Sequence, residues 1–307
     1  MILGIDTSCY TTSAALCKDG EILFDLRSPL NVAKGQRGLR QSDGVFMHTK
    51  ALPTLIKQLS QKVNLRDLRG IAVSTRPRPE ENSYMPVFLA GFSVAKSIAC
   101  ALDIPLFETS HQEGHIMAAL STCGEKVCDE EFISLHVSGG TTEILRTTPF
   151  ETGFSLELLS GTLDLHAGQL VDRIGVAMGM SFPCGAELDV LALTAEKSEK
   201  LPVTVKEKSF HLSGAESQAM KRLEQGCDKA AVARGVLESI ALSLKKSLEA
   251  HHKEHPFKTV VAGGGVTASK VLRETLKSPL FHVLFANPKY STDNACGVAL
   301  IGDKAIK

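Results

Sequence analysis

Tryptophan is absent from this 307-residue chain and tyrosine occurs three times. A protein that grips single-stranded nucleic acid by stacking bases on rings needs more aromatic surface than that. Neither sign of charge is in excess: 34 Lys and Arg balance 34 Asp and Glu, for a formal net charge of zero. No overall field advertises a polyanion or a membrane, so any RNA partner must be met by a local patch or through another protein. No apolar run approaches the roughly 18 residues of a membrane helix. Met1-Ile-Leu-Gly-Ile-Asp6 also lacks the basic flank and longer apolar stretch of a secretion signal. These absences predict a cytoplasmic protein with no membrane partner. The eight cysteines, Cys9, Cys17, Cys100, Cys123, Cys128, Cys184, Cys227 and Cys296, are scattered, which predicts reduced thiols rather than a disulfide frame. Cys123 and Cys128 are close, but one such pair without a second is a weak zinc motif.

What remains is an ordinary globular composition, 43% hydrophobic and 22% charged, in a chain longer than one core usually grows, so two domains are expected. The first part reads as strands Ile2 to Asp6, Ser13 to Cys17 and Glu21 to Arg27, with Lys18-Asp-Gly20 as a hairpin turn. A helix from His48 to Val63, a strand from Gly70 to Ser74, a helix from Val87 to Leu102 and a strand from Pro105 to Glu108 follow. The second part repeats that order. Strands Phe132 to Val137, Thr141 to Thr147 and Ser155 to Leu159 precede helices Leu163 to Met178 and Lys229 to His252, joined by a long connection. A strand Thr259 to Ala262, a helix Thr267 to Lys277, a strand His282 to Phe285 and a terminal helix Asp293 to Lys304 complete it. Two copies of one mixed α/β unit imply a duplication with a cleft between the halves.

Three glycine- or hydroxyl-rich turns suit phosphate. They are Asp6-Thr-Ser-Cys9 (phosphate-loop candidates Thr7, Ser8 and Cys9), Ser138-Gly-Gly-Thr-Thr142 and Ala262-Gly-Gly-Gly-Val266. Glycine lets backbone N–H groups approach an anion, hydroxyls add donors, and a helix start favours negative charge. Together they favour a nucleotide site.

His111-Gln-Glu-Gly-His115 is the most informative motif. Histidines four apart on a helix project from one face, so two imidazole nitrogens can converge on one cation. Asp293, in a distant Ser-Thr-Asp-Asn segment, would make a third ligand and leave positions open, as a catalytic site requires. On its own the spacing is common on helix surfaces. A zinc peptidase must also be weighed, but Glu113 lies two positions from each histidine, roughly 200° around the helix, and points away from a shared metal.

In order and over nearly the whole chain, Ile2-Leu-Gly-Ile-Asp-Thr-Ser-Cys9, His111-Gln-Glu-Gly-His115, Val137-Ser-Gly-Gly140, Phe182-Pro-Cys-Gly185, Ser213-Gly214, Gly264-Gly-Val266 and Ser291-Thr-Asp-Asn-Ala295 resemble the tRNA threonylcarbamoyladenosine transferase (TsaD) family, formerly called O-sialoglycoprotein endopeptidases. The resemblance implies an actin-like ATPase (ASKHA) fold of two RNase H-like lobes around a nucleotide and metal cleft. The lobes would span 1–108, completed by about 293–307, and 109–292, the latter holding the metal and nucleotide site. It implies one divalent metal ion, iron or zinc, on His111, His115 and Asp293. His136, Val137, Ser138, Gly139 and Gly140 would line the substrate and phosphate site. Asp172, Gly185 and Asp189 would contact the nucleoside, Gly264 would sit in the glycine turn, and Ser269 stands where the family has an adenylate-touching asparagine. The implied ligand is an adenine nucleotide, threonylcarbamoyl-AMP or ATP/ADP. The implied reaction moves threonylcarbamoyl from its adenylate to an adenosine of tRNA. The implied pairing is a homodimer or a heterodimer with a related actin-like subunit.

Departures from the family pattern open alternatives. Tyr10 and Thr11 replace two carboxylates, Arg76-Pro-Arg-Pro-Glu-Glu-Asn-Ser-Tyr-Met85 replaces a glycine-rich segment, and Asp164-Leu-His166, Gln169 and Ser269 differ from the pattern. A divergent paralogue, a transferase with another small acceptor, and a non-catalytic nucleotide-binding partner subunit all fit these changes. His136 shares a strand face with Ser138 and is a candidate fourth ligand or phosphate donor, or a strand histidine bonded to a neighbouring carbonyl. His166 is a candidate near the ligands or a helix-surface residue. Arg76 and Arg78 form a short basic tip, which Glu80 and Glu81 offset, so a solvated loop is expected there.

Overall fold

The computed structural model describes residues 1–8, 10–30, 39–80, 82–123 and 130–306; Cys9 and Cys128 lie outside them. The first sheet consists of β1 (Ile2–Asp6), β2 (Thr11–Lys18), β3 (Glu21–Pro29), β4 (Gly70–Arg76) and β5 (Leu106–Ser110), in the order β3-β2-β1-β4-β5. β1 is buried at every residue and pairs antiparallel with β2 and parallel with β4, as an apolar strand covered on both faces should. Asp19 and Gly20, at φ 52° and 85°, make the expected two-residue turn between β2 and β3. Helices α1 (Gln41–Ser60), α2 (Phe88–Leu102) and α3 (His111–Leu120) follow β3, β4 and β5. Leu3, Ile5, Leu16, Leu52, Leu59 and Ile71 lie in the core between this sheet and its helices.

The second part runs β6 (Phe132–Val137), β7 (Thr142–Phe150), β8 (Gly153–Gly161), α4 (Ala167–Ala177), α5 (Gly185–Leu193), β9 (Thr204–Lys206), β10 (Ser209–His211), α6 (Ser213–Glu224), α7 (Lys229–Glu254), β11 (Thr259–Gly263), α8 (Lys270–Thr275), β12 (His282–Phe285) and α9 (Cys296–Ala305). Its large sheet is ordered β12-β11-β6-β7-β8, which matches the first strand for strand when read from the other edge. β6 pairs antiparallel with β7 and parallel with β11, as β1 does with β2 and β4. The expected duplication is therefore present in the strand order.

Four helix starts shift by three residues or more. α1 begins at Gln41, earlier than the apolar spacing suggested. The helix expected from Leu163 begins at Ala167, because the Asp164 carboxylate accepts from Leu165 N, Leu212 N and Ser213 N and holds the chain in a turn. The helix expected over Thr267 to Lys277 breaks at Ser269, whose hydroxyl caps α8 by accepting from Leu272 N. The terminal helix starts at Cys296, after Asn294 Oδ1 accepts from Cys296 N. The long connection before α7 holds α5, the β9-β10 hairpin and α6.

Two compact units emerge: Met1–Gly124 with Pro149–Ser155 and Thr292–Lys307, and Glu125–Thr148 with Leu156–Ser291. This division differs from the expected boundary at 108/109, which placed His111 and His115 in the second lobe. α3 belongs to the first unit because it packs on α9 at a glycine crossing. A Cβ on Gly297 would lie 1.8 Å from Gly114 O, so only glycine permits that approach. No helix among the described residues is long and apolar enough to cross a membrane. The described cysteines form no disulfide, and Cys17, Cys184 and Cys296 are buried thiols.

Candidate metal centre

β1 ends in Asp6, an acid with no exposed surface. One carboxylate oxygen, Oδ2, accepts from Ser8 Oγ at 2.7 Å, and Oδ1 accepts from Ser74 Oγ of β4 and faces His111 Nδ1 at 3.1 Å. His111 itself is the first residue of α3. Ser110 caps that helix in a capping box: Ser110 Oγ accepts from Glu113 N, and Glu113 Oε2 accepts from Ser110 N, Ser110 Oγ and Thr109 Oγ1. Glu113 Oε1 accepts from Phe154 N. Glu113 is thus a buried capping residue with both oxygens engaged, which removes it as the general base of a peptidase.

The next turn brings His115 beneath His111. Their Nε2 atoms lie 3.0 Å apart, and Asp293 Oδ1 is 3.6 Å from His111 Nε2 and 3.5 Å from His115 Nε2. These three atoms form a triangle with edges 3.0, 3.5 and 3.6 Å, so a point about 2.0 Å from each corner lies at its centre, the bond length that zinc and similar cations make to imidazole and carboxylate. Three ligands ringing such a point close to one plane leave the positions above and below that plane for a substrate. The loop carrying Asp293 is tied on either side. Arg27, chelating Asp25, donates from Nη1 to Thr292 Oγ1 at 2.7 Å, and Asn294 Nδ2 donates to Thr292 O.

Electrostatics complete the fit. Burial disfavours charge on both members of the His111–Asp6 pair, but their mutual attraction and hydrogen bond outweigh it, with Asp293 adding to the pull on His111. The Asp6 carboxyl is held below its ordinary value and the His111 imidazole is pushed up to about 9. Without a cation the charged pair contributes stability that is full between about pH 4 and pH 6.5, falls away in acid as Asp6 protonates, and is lost as pH rises through 9. A cation needs the opposite state, Nδ1–H donating to Asp6 with a lone pair on Nε2. Cation affinity should therefore fall by up to about tenfold for each pH unit below 9 on account of His111 alone. In Asp6→Asn that dependence should set in closer to pH 6.5, and affinity well above that pH should drop about tenfold to a hundredfold as the ring loses its orienting partner. Zinc titration across pH measures both; an unchanged profile in the variant would remove Asp6 from the site.

The other expected residues are distributed as follows. Thr7 Oγ1 donates to Val87 O and accepts from Gly91 N, and Ser8 Oγ is spent on Asp6. Both are buried, so neither hydroxyl is presented to a phosphate; Cys9 lies outside the described residues. His136 stands on β6 of the second unit, opposite Glu143 and Gly263, and is not part of the His111, His115, Asp293 group. Val137, Ser138, Gly139 and Gly140 form the end of β6 and a tight turn, in which Ser138 N donates to Thr141 O at 2.7 Å. Gly168 N, in the first turn of α4, donates to Ser138 O. Gly264, at φ 98°, passes so close to β6 that a Cβ would lie 2.3 Å from Val137 O, which requires glycine there. Asp172 Oδ1 accepts from Cys184 N and sets the start of α5, where Gly185 is the first residue. Asp189 accepts from Ser269 Oγ and Lys270 N, so these two expected nucleoside contacts are brought together.

Comparison with known proteins gives the family. The family model described as tRNA N6-adenosine threonylcarbamoyltransferase matches residues 44–300. A protein of that name from Thermus thermophilus is 31% identical over 97% of this chain and 91% of its own length, and one from Persephonella marina is 32% identical over 100% and 90%. The chain belongs to the tRNA N6-adenosine threonylcarbamoyltransferase (TsaD) family. Among solved structures, component A of (R)-2-hydroxyglutaryl-CoA dehydratase from Acidaminococcus fermentans superposes with a TM-score of 0.60 at 18% identity, covering 100% of this chain and 99% of that one. The fold is thus of the actin-like ATPase (ASKHA) class.

Set against the family pattern, several departures are conservative in role. Gln169 Oε1 accepts from His166 N and so caps α4 as a glutamate would. Asp164 is a structural clip rather than a ligand: hydrogen bonds from Ser213, Leu212 and Leu165 overcome partial burial and hold its carboxyl at about 2. Tyr10 is exposed and precedes β2. Arg76, expected in a solvated basic tip, is instead partly buried with its Nε shielded from water.

Proposed function

We propose that a divalent cation, iron or zinc, held by His111, His115 and Asp293, serves transfer of a threonylcarbamoyl group from an adenylate to the N6 amine of adenosine in tRNA. Family membership supplies the reaction class, an acyl/carbamoyl-type transfer. The observation that carries the metal-dependent reading is the triangle of two Nε2 atoms and one carboxylate oxygen with edges of 3.0 to 3.6 Å. When bound there, the cation would supply a Lewis acid for the acyl oxygen and a template for the donor. Asp6 keeps the His111 proton at Nδ1 and fixes the ring plane, so that the ligand nitrogens are set before any substrate arrives. Asp293 is held by the Arg27 and Asn294 bonds to Thr292, which limits how far its oxygen can stray.

In the second unit, the turn from Ser138 to Thr141, the Gly264 turn and the pair Asp189–Ser269 are our candidates for the adenylate. Backbone N–H groups at the Gly139–Gly140 turn suit phosphate oxygens. Asp172 keeps one carboxylate oxygen, Oδ2, beyond the bond that Cys184 makes to Oδ1, and such an acceptor suits ribose hydroxyls. A non-catalytic scaffold would have no use for three ligands poised around one point.

The test is transfer of labelled threonylcarbamoyl to tRNA by native protein, by chelator-stripped protein and by stripped protein reloaded with iron or zinc. The stripped form should be inactive, and activity should return in proportion to bound cation. Full activity without metal would overturn the proposal.

A further inference from the structure

We infer that Arg76 is an oxyanion-binding residue of the first unit, placed to take a carboxylate or phosphate group of the donor beside the metal ligands, an inference that rests on the transferase reading above. Arg76 is the last residue of β4 and stands opposite Ser110, the cap of α3 that immediately precedes His111. Strand partners are about 5 Å apart, so the base of the Arg76 side chain lies one residue from the first metal ligand. Two positions earlier on the same strand, Ser74 donates to Asp6, the acid that holds His111. Gln112 N donates to Pro77 O at 3.0 Å, which pins the chain just after Arg76 against the first turn of α3. The arginine is therefore built into the same scaffold as the metal ligands and is not carried on a free loop.

Its side chain lacks what that setting calls for. Arg76 Nε is sealed from water and has no hydrogen-bond partner, and the guanidinium makes no ion pair among the described residues. Arginine cannot shed its proton, so a shielded N–H must find an acceptor or remain a standing cost. The nearby acids are already spent: Glu113 on the cap and Phe154 N, and Asp6 on Ser8, Ser74 and His111. Charge leads to the same place, because Asp6 and Asp293 together offset a divalent cation, so neither is left over to pair with Arg76. A planar fork of N–H donors matches a carboxylate or a phosphate better than any neutral group. The donor carries both kinds of oxyanion, the threonyl carboxylate and the adenylate phosphate.

Two probes separate them: N-carbamoyl-threonine, which has the carboxylate and no phosphate, and AMP, which has the phosphate and no threonyl carboxylate. Each is titrated calorimetrically into zinc-loaded native protein, Arg76→Gln and Arg76→Lys. One probe should bind about tenfold to a hundredfold more weakly to Arg76→Gln, with partial recovery in Arg76→Lys, while the other changes less than about twofold. The weakened probe identifies the group. Should Arg76→Gln be unstable, Arg76→Lys decides alone, since loss of the fork still weakens binding about severalfold. Equal binding of both probes by native and variant proteins, or no binding by native protein, overturns the inference. Zinc content is measured in every form, and a full complement in all of them shows that the metal centre stands even when the assignment of Arg76 fails.

Discussion

Replacing His111 and His115 together by alanine should leave the protein without its cation and lower transfer by about a thousandfold or more. Only Asp293 would remain of the three ligands, and a single carboxylate of this exposure has no chelate partner with which to hold a dication against water. A Lewis acid contributes several kcal/mol to a barrier, and each 1.4 kcal/mol is about tenfold in rate, which sets the size of the loss. Helix α3 should survive, because its capping box uses Ser110 and Glu113 and because alanine favours helix more than histidine does. Asp6 would lose the partner that lowers its pKa most while keeping the smaller downward pull of Ser74 and Ser8. Metal content by mass spectrometry, the transfer rate and circular dichroism measure the three effects. Native-like transfer in a folded, metal-free double variant would refute the site.

The second large effect is expected far from any ligand atom, at Gly297→Ala. The added methyl would lie 1.8 Å from Gly114 O and 2.7 Å from Ala118 N, and both are backbone atoms of the helix that carries His111 and His115. Neither can turn aside as a flexible side chain would, so α9 and α3 must separate or the first unit must open. Overpacking of this kind costs about 1–3 kcal/mol when side chains can yield, and more when backbone must move. A loss of about 3 kcal/mol or more is expected, or roughly 6–12 °C in melting temperature for a unit of this size. Because α9 begins three residues after Asp293, the same separation should pull the carboxylate from the imidazoles and weaken cation binding. Gly20→Ala, at a left-handed turn with open space around its Cβ position, is the control: it should cost stability while leaving the cation in place. If Gly297→Ala melts and binds zinc as native protein does, the crossing does not set the site.

The fold was legible where apolar spacing was strong. Ile2 to Asp6 and Phe132 to Val137 are read within a residue of their observed ends, and so is the start of α7, where Asp228 caps the helix by accepting from Ala230 N and Ala231 N. Between α4 and α7 the reading failed for a physical reason. α6 buries only Ala215 and Ala219, and β9 and β10 have three residues each, so neither leaves a periodic apolar trace. Helix starts were missed where hydrogen bonds to distant parts of the chain help set them, as Asp189 does with Lys270 N at α8 and Asp164 with Leu212 N before α4. The candidate trio could be picked out because two of its members are four residues apart and the third sits in a motif of the resemblance. The role of Asp6 was not, because its bond to His111 spans 105 positions, and the motif around it invited a phosphate-loop reading that the buried Thr7 and Ser8 hydroxyls do not support. Glu113 was correctly turned away from the metal by helix geometry, but its capping bonds gave the actual reason for an acid at that position.

The most direct test of the central claim is X-ray absorption at the metal edge of native protein loaded with one equivalent of zinc or iron. The trio predicts a first shell of nitrogen and oxygen alone at about 2.0–2.2 Å, with the scattering of two imidazoles, and loss of that imidazole signal in the double alanine variant. A shell containing sulfur at about 2.3 Å, or an imidazole signal that persists in the variant, would place the cation elsewhere and contradict the account.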